Sequence, residues 1–161
     1  MAKRVILAVA GAGKTYYICH EIDPKKRNLI VAFTHENIKN IQKELLDAYG
    51  RIPEMTKVMT YDSFIYQMLV RPFEPTVYEC FGIRYDFTTT GITLQNPPLQ
   101  RINVNGVDIS NRKYHKKNQL SHYMNNKMQY YCATLSELAM VVKKGQIPLV
   151  RLAAERLNIF F

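Results

Sequence analysis

The feature that most constrains the fold is a short loop of small residues between an apolar run and a helix-forming segment. Residues 8–15 read Ala-Val-Ala-Gly-Ala-Gly-Lys-Thr, and the apolar run Val5 to Val9 leads into them. Small residues let backbone N–H groups converge on phosphate oxygens, while a lysine reaches the β and γ phosphates and a hydroxyl ligates Mg²⁺. The sequence therefore predicts a phosphate-binding loop that follows a first strand and opens a helix from about Lys14 to Ile22.

This loop departs from the usual pattern at its first position, where Ala8 replaces glycine and adds one methyl group. We expect Lys14 and Thr15 to be the catalytic residues, with Thr15 also holding Mg²⁺. Tyr16 either contacts the nucleotide or packs against its neighbours. A glycine-rich turn with a chance Gly-Lys-Thr is the alternative for the whole motif. The predicted nucleotide-binding residues are Ala10, Gly11, Ala12, Gly13, Lys14, Thr15 and Tyr16.

Strands alternate with helices through about the first seventy residues. Leu29 to Phe33 is the second predicted strand, and Thr34 is suited to cap the amphipathic helix that follows it. A short third strand covers Lys57 to Thr60, and Asp62 can cap a helix from Ser63 to about Val70. This alternation implies a parallel sheet that is covered by helices on both faces.

The pattern changes between Pro72 and Tyr131, where prolines, asparagines and tyrosines indicate irregular structure. Within it, Asn105-Gly106 separates two short alternating segments, and this dipeptide tolerates the positive φ angles of a tight hairpin turn. Helix is expected to resume at Thr134, because Thr134 and Glu137 have capping-box spacing, and again after Pro148. The region reads as an insertion into an α/β domain.

The composition is that of a globular chain with a basic surface. Hydrophobic residues make up 47% and charged residues 22%, and no segment approaches the roughly 18 apolar residues of a membrane span. Lysine and arginine number 22 against 13 acids, a net charge of +9, which favours a polyanionic partner, although a basic surface alone is an equal alternative. Three scattered cysteines suit neither a zinc site nor a disulfide framework, so we expect a reducing, cytoplasmic setting.

Two segments that follow the second and third strands narrow the class of protein. Residues 30–37 read Ile-Val-Ala-Phe-Thr-His-Glu-Asn, and residues 58–64 read Val-Met-Thr-Tyr-Asp-Ser-Phe. With the loop before them, they resemble in order and spacing the first motifs of UvrD/Rep-type superfamily 1 DNA helicases. Those motifs are typically Phe-Thr-Asn after a strand and Thr-Phe-His-Ser-Phe at the start of a helix. The resemblance covers residues 5–70.

The resemblance implies an α/β fold of the P-loop NTPase (RecA-like) type, a parallel sheet with flanking helices that is interrupted by an irregular insertion carrying a β-hairpin. Residues 1–71 would form the core, which includes the two motifs that contact single-stranded DNA in this family. Residues 72–133 would form the insertion. Residues 134–161 would return to the core as helices and stop before the Walker B strand.

The resemblance also implies that the two later segments line a single-strand track beneath the ATP site. Hydroxyl groups would contact the DNA backbone, and Tyr61 and Phe64 would pack against sugar or base. Helix capping is the alternative for Thr34 and core packing for Phe64, whereas the acid Asp62 would repel phosphate. The implied DNA-binding residues are Thr34, His35, Thr60, Tyr61, Ser63 and Phe64.

The implied function is the N-terminal part of an ATP-dependent DNA helicase, with ATP and Mg²⁺ as cofactors, single-stranded DNA or DNA junctions as partners, and no membrane. None of the thirteen acids forms the Asp-Glu pair that hydrolysis needs, so we expect a fragment that is inactive alone. The alternatives are a P-loop kinase or other NTPase, and a non-catalytic nucleic-acid-binding module with a vestigial loop. The sequence indicates no oligomeric state.

Overall fold

The computed structural model describes residue 9 and residues 11–85, 89–114, 117–144 and 158–160. Within these ranges the protein is a mixed α/β chain with short parallel strand pairs. Contacts group the chain into two compact units, Met1–Tyr61 with Ala154–Phe161, and Asp62–Ala153. The sequence-based boundaries at residues 71 and 133 follow changes in composition, whereas these units follow contacts between residues.

Among the residues that the structure describes, the first unit contains a three-stranded parallel sheet. Its central strand β1 (Asn28–Ala32) lies between β2 (Thr56–Thr60) and β7 (Asn158–Phe160). The register pairs Ala32 with Thr60 on one side and Ile30 with Phe160 on the other. The second and third predicted strands are thus confirmed as parallel neighbours. The first predicted strand lies outside the described residues, except for Val9.

Two helices pack with this sheet through an apolar core. Helix α1 (Lys14–Glu21) follows the glycine loop, and α2 (His35–Tyr49) follows β1. The Thr34 hydroxyl accepts a hydrogen bond from the Asn37 amide at 3.1 Å, so the predicted cap is confirmed. Gly50 ends α2 with a φ of 71°, a left-handed conformation that glycine adopts at little cost. The core residues are Cys19, Ile22, Ile30, Ala32, Ile41 and Leu45.

A continuous helical segment follows β2. Helix α3 (Tyr61–Phe64) changes into a π-helix at Ile65–Val70, then into a 3₁₀ turn at Arg71–Phe73 and helix α4 (Glu74–Cys80). Two expectations were wrong here. The helix begins at Tyr61, so Asp62 lies in its first turn and is not its cap. The stretch after Pro72 is helical because prolines in a first turn remove only N–H groups that have no intrahelical partner.

The rest of the second unit contains two small sheets and a long helix. Strands β3 (Gly91–Thr93) and β6 (Gln129–Tyr131) pair in parallel. Strands β4 (Leu99–Val104) and β5 (Val107–Tyr114) form an antiparallel hairpin. Its turn has φ angles of 55° at Asn105 and 82° at Gly106, which confirms the predicted Asn-Gly hairpin.

Helix α5 (Cys132–Lys144) corrects a further expectation. It begins two residues before Thr134, whose hydroxyl donates to the Tyr131 carbonyl at 3.3 Å and does not act as a cap. Glu137 accepts hydrogen bonds from Lys117 at 2.6 Å and from His122 at 3.2 Å, so no capping box forms. The predicted helix after Pro148 lies outside the described residues.

The interior of the second unit holds a buried carboxylate. Glu74 is 3% exposed and accepts hydrogen bonds from the hydroxyls of Tyr85, at 3.2 Å, and of Thr89. Tyr66 hydrogen-bonds the same Thr89 hydroxyl at 2.9 Å. These contacts join the start of α4 to the segment that precedes β3.

No helix in the described part of the chain has the length and apolar character needed to cross a membrane.

Candidate nucleotide and nucleic-acid site

The backbone of the glycine loop adopts left-handed conformations that its glycine residues permit. Gly11 and Gly13 have φ angles of 78° and 70°, in the left-handed region that glycine reaches readily. Gly13 directly precedes α1, and its carbonyl accepts the first helical hydrogen bond, from the Tyr17 amide at 2.9 Å. The first N–H groups of a helix have no intrahelical partner and attract anions. Ala10 lies outside the described residues.

Lys14 folds back across this loop. Its Nζ donates to the Val9 carbonyl at 2.7 Å, and the Ala12 amide donates to the same oxygen at 3.3 Å. No acidic residue lies in the first turn of α1, so no nearby carboxylate of that turn opposes an anion. The ammonium group therefore sits at the loop on an exposed surface, where phosphate oxygens can compete for it with a neutral carbonyl.

Thr15 is the one predicted metal-binding side chain of the loop, and it is half-buried. Among the described residues, no group of three or more histidine, cysteine or acidic side chains is placed to hold a metal ion. A single hydroxyl leaves most ligand positions of Mg²⁺ to other oxygens.

The ends of β1 and β2 bring Phe33 and Tyr61 together. Because Ala32 pairs with Thr60, the residues that follow both strands emerge at the same edge of the sheet. There the rings of Phe33 and Tyr61 have their centroids 5.4 Å apart, tilted by 33°. Phe33 is 80% exposed, an unusual state for a phenylalanine.

Phe33 is a candidate that the sequence reasoning missed. It was assigned to the end of the second strand, whereas the strand ends at Ala32 and Phe33 lies in the turn before α2. The available signal was its position directly before the capping residue Thr34. An aromatic residue at that point leaves the sheet just as the chain turns into a helix.

The other predicted DNA-binding residues differ in accessibility. In the first unit, Thr34 and His35 are exposed and Thr60 is half-buried. In the second unit, Ser63 is half-buried, whereas Phe64 is only 5% exposed. The Phe64 ring is therefore not available to a base, which favours the alternative of core packing.

Two of the three cysteines, Cys19 and Cys132, have thiols of low reactivity. Burial, and then the Glu44 carboxylate, raise the pKa of Cys19 to about 11. Burial, and then the Asp62 carboxylate, which is also its hydrogen-bond partner, raise the pKa of Cys132 to about 11. Both thiols stay protonated near neutral pH, and no described cysteine is in a disulfide.

Comparison with known proteins finds no relative of this chain. No protein-family model, no curated protein and no solved structure matches the chain.

Proposed function

We propose that this chain is the nucleotide-binding part of a UvrD/Rep-type DNA helicase motor with a P-loop NTPase fold of the RecA-like type. It binds ATP with Mg²⁺ at the loop before α1, and single-stranded DNA at the edge where β1 and β2 end. The observation that carries the proposal is the parallel register of these two strands, which brings the residues directly after them, Phe33 and Tyr61, to one edge.

At the loop, each residue type has a separate task. The left-handed Gly11 and Gly13 bend the backbone in front of α1, so that the N-terminal end of the helix faces an incoming anion. Lys14 exchanges the Val9 carbonyl for the β and γ phosphates, and Thr15 contributes its hydroxyl to the Mg²⁺ that accompanies them. The loop provides no carboxylate, so hydrolysis requires acids from elsewhere in the motor.

At the strand edge, two kinds of group suit a single strand without base specificity. The exposed Phe33 ring and the neighbouring Tyr61 ring offer faces on which any base can stack. Thr34 and Thr60 offer hydroxyls suited to backbone phosphates. A net charge of +9 supplies the long-range attraction.

The nucleotide half of the proposal is tested by titrating ATP and Mg²⁺ into the wild type and Lys14→Ala by calorimetry. We expect affinity to fall about tenfold or more, because a charge-assisted contact contributes roughly 1.5–3 kcal/mol. Lys39→Ala, which removes an exposed lysine from α2, is the matched control and should bind as the wild type does. Equal affinity in all three proteins would show that the loop does not bind phosphate.

The nucleic-acid half is tested by fluorescence anisotropy with a labelled oligothymidylate. We expect the double variant Phe33→Ala, Tyr61→Ala to bind at least fivefold more weakly, since stacking contributes roughly 1–3 kcal/mol per base. Unchanged affinity would place the track elsewhere. DNA binding without any nucleotide binding would favour the vestigial module, and transfer of phosphate to a small molecule would favour a kinase.

A further inference from the structure

Two loops meet at the edge of the first unit's sheet where β1 and β2 begin. The loop after α1 ends in Lys25, Lys26 and Arg27, directly before β1, and Lys57 lies near the start of β2. All four basic side chains are exposed. Together with Met55, which directly precedes β2, we call these residues the basic edge.

A buried asparagine ties the two loops to each other. Asn28 is 1% exposed. Its Nδ2 lies 2.8 Å from the Asp23 carbonyl oxygen, 2.9 Å from the Lys26 carbonyl oxygen and 3.2 Å from the Thr56 hydroxyl oxygen. Its backbone amide donates to the Met55 carbonyl at 2.9 Å. Losing these bonds would leave buried polar groups unpaired, which is costly, so both loops present their side chains from a fixed backbone.

The positive charge of the basic edge is only partly balanced. The Asp23 carboxylate lies 3.3 Å from the Lys26 ammonium nitrogen. The other three basic side chains form no ion pair with an acid in the part of the chain that the structure describes: Lys25, Arg27 and Lys57. Three positive charges are therefore open to an anionic partner.

Met55 gives this charged surface an apolar centre. It is 45% exposed, and it lies between the basic groups, since its carbonyl binds the residue after Arg27 and Lys57 follows it by two positions. A methionine adapts to an apolar contact, and the stems of lysine and arginine extend the apolar surface while their charged ends stay in water. An apolar centre within a polar rim is the usual composition of a protein–protein interface.

Two features favour a peptide over a nucleic acid at this surface. The basic edge contains no aromatic ring on which a base could stack, and a sugar-phosphate backbone has no apolar side group to cover Met55. The neighbouring carboxylates of Asp23 and Glu54 are 43% and 83% exposed, and they would repel a continuous row of phosphates. A peptide carries its acids at separate positions and can avoid both.

We propose that the basic edge binds an acidic peptide segment of a partner protein. Carboxylates of this segment pair with Lys25, Arg27 and Lys57, and one large apolar side chain packs on Met55. The fixed backbone of the two loops lowers the cost of ordering this surface when the partner binds.

The basic edge is separate from the proposed nucleotide and DNA site. Strands β1 and β2 run in parallel from the basic edge to the edge that carries Phe33 and Tyr61, and the five residues of β1 span about 13 Å. Helix α1 ends at Glu21 before the first loop, whereas Tyr16, 60% exposed and stacked on His20, lies in its first turn beside the glycine loop. The proposal therefore does not rest on nucleotide binding.

The experiment measures fluorescence anisotropy with two labelled peptides rich in aspartate and glutamate. One peptide has a central leucine, and the other has serine at that position. The proteins are the wild type, the double variant Lys25→Glu, Arg27→Glu, and Met55→Gln. The matched control Lys39→Glu, Lys43→Glu changes the net charge by the same amount at exposed positions of α2. A labelled DNA duplex is measured with the same proteins.

We expect the wild type to bind the leucine peptide. The double variant Lys25→Glu, Arg27→Glu should bind it about tenfold more weakly, because each reversal replaces an attraction by a repulsion. The control should lose less than about twofold, since distant exposed charges are screened. Serine in place of leucine should weaken binding to the wild type about threefold and leave binding to Met55→Gln unchanged, because that variant has already lost the apolar contact.

Three results would overturn the proposal. Equal losses in the double variant and in the control would show that only the net charge matters. Equal affinity of the wild type for both peptides would remove the role of Met55 and with it the assignment to a peptide. If the double variant loses affinity for the DNA duplex but keeps its affinity for the leucine peptide, the basic edge binds nucleic acid instead.

Discussion

The Thr34 hydroxyl has one observed role and one proposed role. It accepts a hydrogen bond from the Asn37 amide and so caps α2, and it lies at the exposed strand edge proposed for DNA. An N-cap oxygen contributes about 1 kcal/mol to helix stability, and aspartate supplies this bond as well as threonine does. A substitution that keeps the capping oxygen but adds a negative charge therefore separates the two roles.

We predict that Thr34→Asp keeps the thermal stability of the wild type but weakens oligothymidylate binding, because the added carboxylate repels phosphate. Thr34→Val, which keeps the shape and removes the hydroxyl, should lose about 1 kcal/mol of stability. Chemical unfolding and anisotropy measure the two effects. If Thr34→Asp binds DNA as tightly as the wild type, Thr34 is a cap and nothing more.

The three thiols differ in environment, and this predicts their reactivity. Cys80 is exposed, whereas burial is the main reason that the pKa values of Cys19 and Cys132 rise to about 11. Since the thiolate is the reactive form, we expect a disulfide reagent at pH 8 to label the exposed Cys80 first and the buried Cys19 last. Mass spectrometry of the labelled peptides gives the order, and early labelling of Cys19 would contradict it.

At the scale of elements, sequence patterns predict the strands, caps and turns that depend on residues close together in the chain. The strands before Phe33 and Tyr61, the cap at Thr34 and the Asn105-Gly106 turn were predicted within one or two residues, because each depends on neighbours in sequence. The π-helix at Ile65–Val70 and the parallel pairing of β3 with β6 were not predicted. The pairing of β3 with β6 joins segments far apart in sequence, which a local pattern does not contain.

The same limit applies to the candidate site. The loop residues and Tyr61 follow from motif spacing. The exposure of Phe33 and the burial of Phe64 do not, because two phenylalanines near strand ends look alike in sequence and differ only in what packs around them.

One contact between elements makes the second unit sensitive to pH. The hydrogen bond from Lys117, followed by that from His122, holds the pKa of the Glu137 carboxyl below its ordinary value, against the effect of partial burial. A carboxyl with a lowered folded-state pKa stabilises the fold above its unfolded pKa, about 4.3, and loses that contribution as the pH falls through the folded value.

We therefore predict that Glu137→Gln is less stable than the wild type at pH 7, by no more than about 1 kcal/mol, because the ion pair is exposed to solvent. The difference should shrink as the pH falls from 5 to 3. Urea unfolding across this range measures it, with Lys117→Met as a control that removes the main donor. A difference that stays constant with pH would show that the ionised carboxyl is not the cause.

For the whole molecule, the net charge of +9 governs encounters with polyanions. A single-strand site with three to five phosphate contacts gives a slope of log affinity against log salt of about −2 to −3.5. We predict a slope in this range for oligothymidylate between 50 and 200 mM salt, and little dependence on base sequence. An affinity that is flat over this range would remove the electrostatic basis of the proposed track.

The sheet of the first unit also fixes an order of events during synthesis. Strand β1 has one neighbour close in sequence, β2, and another, β7, that is separated from it by residues 33–157. A ribosome completes the second unit, Asp62–Ala153, before it synthesises β7, the second neighbour of β1. One edge of β1 thus stays unpaired while most of the chain emerges, and closing so long a loop is slow. An open strand edge pairs readily with other chains, so the nascent chain is prone to aggregation during that interval.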